Sequence, residues 1–88
     1  MSSVVVRYWA AARSAAGISE EAVGLPTAEG SLDTVLAAVR ARHDARFARV
    51  LASASLLVDG VAVGHRDPAE VPLIAGMTVE VLPPFAGG

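Results

Sequence analysis

Hydrophobic residues alternate with other residues at the start of the chain, and this predicts a β-strand over residues 4–9. Three alternate positions would face a core: Val4, Val6 and Tyr8. Arg7 marks the opposite face as the one exposed to solvent. The only tryptophan, Trp9, falls on that exposed face, where a large aromatic side chain is unusual.

Alanine dominates the next segment, and a short helix is therefore predicted over residues 10–16, with Gly17 as its stop. Residues 18–25 then favour a second strand that ends before Pro26. Glu20 and Glu21 indicate that this strand lies at a solvated edge of the sheet.

The main helix is predicted from Ser31, a good N-cap, to about His43. Its apolar residues follow the i, i+3, i+4, i+7 spacing of one helical face: Leu32, Val35, Leu36 and Val39. Asp44 is predicted to cap a second, shorter helix. The apolar side chains of that helix would be Phe47, Val50 and Leu51.

The C-terminal half favours strands. Residues 56–58 and 61–63 flank Asp59-Gly60, which is a strong hairpin signal. A polar loop is expected over residues 64–72, followed by a last strand over residues 77–82. Alternation buries Val79 and Val81 and places Glu80 outside, together with two apolar residues, Leu82 and Ala62.

This order of elements predicts an α+β domain, with a mixed sheet of about five strands and one main helix across one face. The 88 residues are expected to form a single domain, residues 1–88, with a flexible tail over residues 83–88. The hydrophobic fraction of 53% is sufficient for a core of this size.

Composition excludes several classes of function. The chain has no cysteine, so disulfide scaffolds, thiolate metal sites and cysteine nucleophiles are excluded. The net charge is −2 and no basic run occurs, which argues against nucleic acid as a partner. No apolar run is long enough for a membrane span, and we expect a cytoplasmic protein. His43 and His65 lie in separate segments, so no metal site is predicted.

The last six residues are the most distinctive: Pro83, Pro84, Phe85, Ala86, Gly87 and Gly88. The two prolines stiffen the exit from the last strand. The Gly-Gly end lacks Cβ atoms and can enter a slot too narrow for other residues. This design suits delivery of a C-terminal carboxylate into the active site of another protein.

Two stretches together resemble the small subunit of molybdopterin synthase, a sulfur carrier of the ubiquitin-like β-grasp superfamily. The first is residues 8–17, with an aromatic strand followed by Arg13 and Gly17. The second is residues 79–88, with a strand, a diproline and a terminal Gly-Gly.

The resemblance implies a mechanism in which Gly88 is the reacting residue and Gly87 gives it access. A ubiquitin-activating-type adenylyltransferase, which uses ATP and Mg²⁺, would adenylate the Gly88 carboxylate. A sulfurtransferase persulfide would convert it to a thiocarboxylate, and the sulfur would pass to cyclic pyranopterin monophosphate in the large synthase subunit. The chain itself would bind no cofactor and act as a non-catalytic, sulfur-donating subunit.

The resemblance also implies which residues contact the partners. An apolar docking patch of Trp9, Ala62 and Leu82 is expected beside the tail, with Arg13 as a further contact. The tail contacts would be Pro83, Pro84, Phe85 and Ala86. Three alternatives remain open: a carrier for thiamin or cysteine synthesis, a protein modifier joined to lysines through Gly88, and an interaction module with a passive tail.

Overall fold

Most secondary-structure elements form where local sequence signals favour them. The structure is a computed structural model that describes residues 2–84. The strands are β1 (Ser3–Tyr8), β2 (Glu20–Gly24), β3 (Glu29–Ser31), β4 (Ser55–Val58), β5 (Val61–Ala62), β6 (Pro72–Ile74) and β7 (Thr78–Leu82). The α-helices are α1 (Ala10–Ala16), α2 (Leu32–Arg42) and α3 (Ala45–Ser53), and a 3₁₀ helix spans Pro68–Glu70.

The helix boundaries have the predicted caps. Gly17 ends α1 with φ +77°, a left-handed conformation that glycine adopts without steric cost. The Ser31 side chain accepts a hydrogen bond from the Thr34 amide at the start of α2. The Asp44 carboxylate accepts one from the Phe47 amide at the start of α3. Each cap satisfies a backbone donor that has no partner within its helix.

The main sheet has five strands in the order β2-β1-β7-β4-β5. The central pair β1 and β7 is parallel, and the other neighbours are antiparallel. The predicted mixed sheet of the β-grasp class is therefore confirmed. The structure adds a second sheet that was not predicted, formed by β3 and β6; β6 begins at Pro72, the last residue of the predicted loop, and β3 lies directly before α2.

The core lies between one face of the main sheet and the helices. The sheet contributes the inward positions of β1 and β7, and α2 contributes its predicted apolar stripe. These core residues are buried: Val4, Val6, Tyr8, Val79, Val81, Leu32, Val35, Leu36 and Val39. Burial of each aliphatic side chain contributes about 1.5–3 kcal/mol. On the opposite face, the outward positions of β1 and β7 are partly or fully exposed.

Within residues 2–84, none of the helices has the length and apolarity that crossing a membrane requires.

Candidate functional site

The base of the C-terminal tail lies at the end of β7, beside the start of α1. The Trp9 amide donates a hydrogen bond to the Val81 carbonyl at 3.1 Å, which joins the end of β1 to the end of β7. Pro83 and Pro84 follow β7 directly and are exposed. The prolines have no amide hydrogen, so neither can extend the ladder. The backbone therefore leaves the sheet at a fixed point.

Two hollows flank this exit point. The first, of about 210 Å³, lies between α1 and α3 and is lined by Leu82, Pro83 and Pro84. The second, of about 280 Å³, is lined by Pro84 on one side and by Ala62 and His65 on the other. The tail base is thus accessible from both sides.

The open face of the sheet carries the residues of the predicted docking patch. Trp9 follows β1 and is 42% exposed. Leu82 is half-buried at the end of β7, and Ala62 is exposed on the edge strand β5. The register brings Leu57 between them, because it pairs with Ala62 on one side and with Glu80 on the other. We refer to Trp9, Leu57, Ala62 and Leu82 as the outer-face patch.

Leu57 was not among the residues singled out from the sequence, although the alternation of β4 would have placed it outside. Glu80 was recognised only as a marker of the exposed face. In the structure, the Trp9 indole nitrogen donates a hydrogen bond to Glu80 Oε2 at 3.0 Å. The indole is therefore fixed by a specific contact, which the sequence pattern does not reveal because the two residues are 71 positions apart.

Arg13 lies on α1 and lines a separate surface hollow with Ile18 and Ser19. This hollow does not include Pro83 or Pro84. The proposed role of Arg13 as a partner contact stays a prediction. Four predicted site residues lie outside the described residues: Phe85, Ala86, Gly87 and Gly88.

A polar cluster occupies the helix side of the sheet. Glu21 accepts hydrogen bonds from the Tyr8 hydroxyl at 2.5 Å and from Arg42 Nη1 at 2.9 Å, and its Oε2 lies 2.6 Å from His43 Nε2. Strand β2 lies at an edge of the sheet, as predicted, but the side chain of Glu21 is not solvated: it is only 12% exposed, and that of His43 is 13% exposed. Glu21 turns inward because it shares its face of β2 with the buried Val23.

Burial and hydrogen bonding shift two pKa values in this cluster. Burial raises the pKa of Tyr8, and the hydrogen bond to Glu21 and its negative charge raise it further. Burial also acts to raise the pKa of Glu21, but the hydrogen bonds from His43, Tyr8 and Arg42 outweigh it and lower that pKa. Glu21 is therefore held ionised as a structural acceptor, on the face opposite to the outer-face patch.

No group of three or more His, Asp or Glu side chains in residues 2–84 is arranged to bind a metal ion.

Comparisons with known proteins show similarity to one protein family and to several solved structures. The model of the ThiS family matches residues 6–88. The putative molybdopterin converting factor subunit 1 from Pyrococcus furiosus is 26% identical, with a TM-score of 0.77 over 94% of this chain and 98% of that chain. No curated protein sequence matches significantly.

Two further structures share the fold at lower identity. The small archaeal modifier protein 1 from Methanosarcina acetivorans is 23% identical, with a TM-score of 0.78 over 98% of this chain and 96% of that chain. A chain in the complex of subunits 1 and 2 of the molybdopterin-converting factor from Helicobacter pylori is 18% identical, with a TM-score of 0.68 over 100% of both chains.

Proposed function

The chain belongs to the ThiS family of ubiquitin-like sulfur carriers, and from that premise we propose that it is the small, sulfur-donating subunit of a molybdopterin synthase. Among the known structures, the Pyrococcus furiosus protein is a putative molybdopterin converting factor subunit 1 and supports this pathway. The observation that carries the proposal is the stiffened exit of the chain at Pro83-Pro84, directly beside an exposed apolar patch and four residues before Gly88.

The proposed chemistry takes place at the carboxylate of Gly88. The carboxylate attacks the α-phosphate of ATP on an adenylyltransferase, which releases pyrophosphate and gives an acyl-adenylate. The terminal sulfur of a persulfide then displaces AMP, and a thiol cleaves the resulting acyl disulfide to leave a thiocarboxylate and a new disulfide. Mg²⁺ and ATP are bound by the adenylyltransferase, and this chain supplies only the acyl group.

The thiocarboxylate is the nucleophile that a chain without cysteine otherwise lacks. In the large subunit its sulfur attacks a carbon of the pyranopterin precursor and breaks the carbon–oxygen bond there, the oxygen leaving as water or remaining on the opened cyclic phosphate, and hydrolysis of the acyl–sulfur bond returns Gly88 to a carboxylate. Two such transfers would supply the two sulfur atoms of the dithiolene. We place these reactions in the cytoplasm.

The outer-face patch is the proposed docking surface for the large subunit. Exposed aromatic and aliphatic side chains in one patch are typical of protein interfaces. Trp9 and Leu82 lie at the end of the sheet from which the tail departs. A partner that receives the tail therefore reaches them first. The assembly of subunits 1 and 2 in the Helicobacter pylori complex supports a large-subunit partner.

Intact-mass spectrometry tests the proposal. The purified chain is incubated with its cognate adenylyltransferase, ATP, Mg²⁺ and a persulfide donor, and its mass is measured. We expect an increase that corresponds to the exchange of one oxygen for one sulfur, located at Gly88 by fragmentation. A control chain that ends at Ala86 should remain unmodified but keep its circular dichroism spectrum.

The second step adds the cognate large subunit and the pyranopterin precursor. Consumption of the thiocarboxylate with formation of molybdopterin would support the synthase assignment. If the thiocarboxylate forms but is not consumed, the chain would instead be assigned to another sulfur-transfer pathway. Gly88 that remains a carboxylate and is found in isopeptide linkage to lysines of other proteins would favour a protein modifier.

A further inference from the structure

Glu80 occupies the middle of the open sheet face, within the outer-face patch. It lies on the central strand β7, and its cross-strand neighbours are Arg7 on β1 and Leu57 on β4. Its side chain is half-buried. Oε2 accepts the hydrogen bond from the Trp9 indole nitrogen at 3.0 Å. Oε1 accepts no hydrogen bond from residues 2–84.

The nearest cation in the sheet is engaged elsewhere. Arg7 directs its guanidinium to Glu20, with Nε 3.4 Å from Oε1. The same guanidinium carbon lies 5.9 Å from the centre of the Trp9 ring. Across the described chain, Glu80 forms no ion pair. The patch therefore presents one carboxylate without an ion-pair partner in residues 2–84, with the apolar Leu57 on one neighbouring strand and Arg7 on the other.

The length of the tail determines how close a partner must come. The four residues 85–88 span at most about 14 Å when fully extended. Glu80 itself precedes Pro84 by four residues, which is about 13 Å along a strand. A protein that binds Gly88 in an active site must therefore contact the end of the sheet. If it also covers the outer-face patch, it covers Glu80.

Covering this carboxylate removes it from water. A buried charge is tolerated only when the partner supplies a compensating charge or hydrogen-bond donors. Resting on the proposed function, we infer that the large subunit places an arginine or lysine against Oε1 of Glu80, beside the apolar contacts to Trp9 and Leu82. Glu80 then selects the correct partner, since a partner without this cation must bury an unpaired charge.

The test measures the Kd of the large subunit for the full-length chain and for the E80Q variant, at low and at high salt. Glutamine keeps the shape and an oxygen that accepts the indole hydrogen bond, but it removes the charge. We expect the Kd of E80Q to rise at least about tenfold, because one member of a buried charge pair is lost. We also expect the Kd of E80Q to depend less on salt than the Kd of the wild-type chain.

Two variants serve as controls. E70Q makes the same change of charge on the 3₁₀ helix, which packs against α2 on the other side of the sheet, and its Kd should stay within about twofold of wild type. W9F keeps an aromatic ring and the Glu80 charge but removes the indole donor and part of the apolar contact area, so its Kd should keep the salt dependence of the wild-type chain. The fluorescence emission of Trp9, the only tryptophan, shows whether the indole keeps its hydrogen bond to residue 80 in the E80Q variant.

A loss of affinity in E80Q with a weaker salt dependence, together with an unchanged salt dependence in W9F, supports the inference. If the Kd of E80Q stays within about twofold of wild type, or if it depends on salt as strongly as the Kd of wild type, Glu80 meets no partner cation and the inference is overturned. Formation of the Gly88 thiocarboxylate on E80Q is measured in parallel by mass. Wild-type chain that forms no thiocarboxylate, or does not bind the large subunit, overturns the proposed function as well.

Discussion

Glu21→Ala should destabilise the fold more than the replacement of any exposed carboxylate in the chain. Glu21 accepts hydrogen bonds from Tyr8 and Arg42 and lies within hydrogen-bond distance of His43. These contacts join β1, β2 and the C-terminal end of α2. The aromatic rings of Tyr8, His43 and Phe47 pack edge to face or tilted around them, which couples the cluster to α3.

The loss of unfolding free energy in Glu21→Ala can be estimated from the three contacts of Glu21. Tyr8 is 1% exposed, so its hydroxyl would lose its acceptor without gaining water, at a cost of about 1–3 kcal/mol. Loss of the contact between His43 and the ionised carboxylate costs about 1.5–3 kcal/mol. The half-exposed Arg42 pair contributes about 0–1 kcal/mol. We expect a decrease of about 3–5 kcal/mol in the free energy of unfolding, as for other buried pairs that lose one member.

Urea unfolding followed by circular dichroism measures this decrease. Glu20→Ala is the matched control, because Glu20 is the next residue on the same strand but its side chain is 52% exposed and pairs with Arg7 at the surface. The control should cost about 0–1 kcal/mol. The reasoning would be refuted if the two variants differed by less than about 1 kcal/mol, because the buried contacts would then contribute no more than a surface pair.

The pH dependence gives a second readout of the same cluster. The pKa of Glu21 is lowered in the folded state, so its stabilisation is fully present above the unfolded pKa of about 4.3 and is lost as the pH falls through the folded pKa. The difference in unfolding free energy between wild type and Glu21→Gln should therefore shrink below about pH 4. A difference that grows on acidification in that range would contradict the lowered pKa.

Two further changes test the helix ends by urea unfolding. Gly17→Ala forces alanine into the left-handed conformation at φ +77° and should cost about 1–2 kcal/mol. Gly24→Ala, where an added Cβ meets no atom within 4 Å, should be close to neutral, and equal effects would contradict the role of the αL cap. Asp44→Ala should cost about 1 kcal/mol through loss of the α3 cap. Asp44→Ser should recover most of the stability that Asp44→Ala loses. If serine recovers none of it, the loss has a cause other than capping.

The sequence predicted those elements whose residues carry a strong local pattern. The alternation in β1 and β7, the apolar stripe of α2 and the caps at Ser31 and Asp44 each specify a structure without help from distant residues. The exposure of Trp9 followed from the same alternation. These features were sufficient to predict the α+β class. Strands with an alternating pattern at both ends of the chain, with a helix between them, can pack in only a few arrangements.

The second sheet could not be predicted in this way. Its strand β3 consists of Glu29, Gly30 and Ser31, which have low β-propensity, and β6 begins with a proline. They pair because the surrounding fold brings them together and buries Leu73. Gly30 fits there because an added Cβ would lie 3.0 Å from the Leu25 side chain.

The contacts of the candidate site depend on tertiary structure even more. Glu21 and Glu20 are adjacent and chemically alike, yet only Glu21 faces the core, which required the register of β2 against β1. The bond between Trp9 and Glu80 exists because the first and last strands lie side by side in parallel. No local pattern encodes that pairing. The sequence therefore predicted an exposed tryptophan but not its hydrogen bond to Glu80.

Arg42 has a consequence for the solubility of the isolated carrier. Strand β2 is an edge of the main sheet, and the carbonyl of Ala22 points away from β1. Arg42 Nη1 donates to this carbonyl at 2.8 Å. A strand from another molecule would need the same acceptor in order to extend the sheet, and it would have to displace a guanidinium already paired with Glu21. The helix that completes the core thus also occupies a backbone acceptor on this edge, which opposes the addition of another strand there.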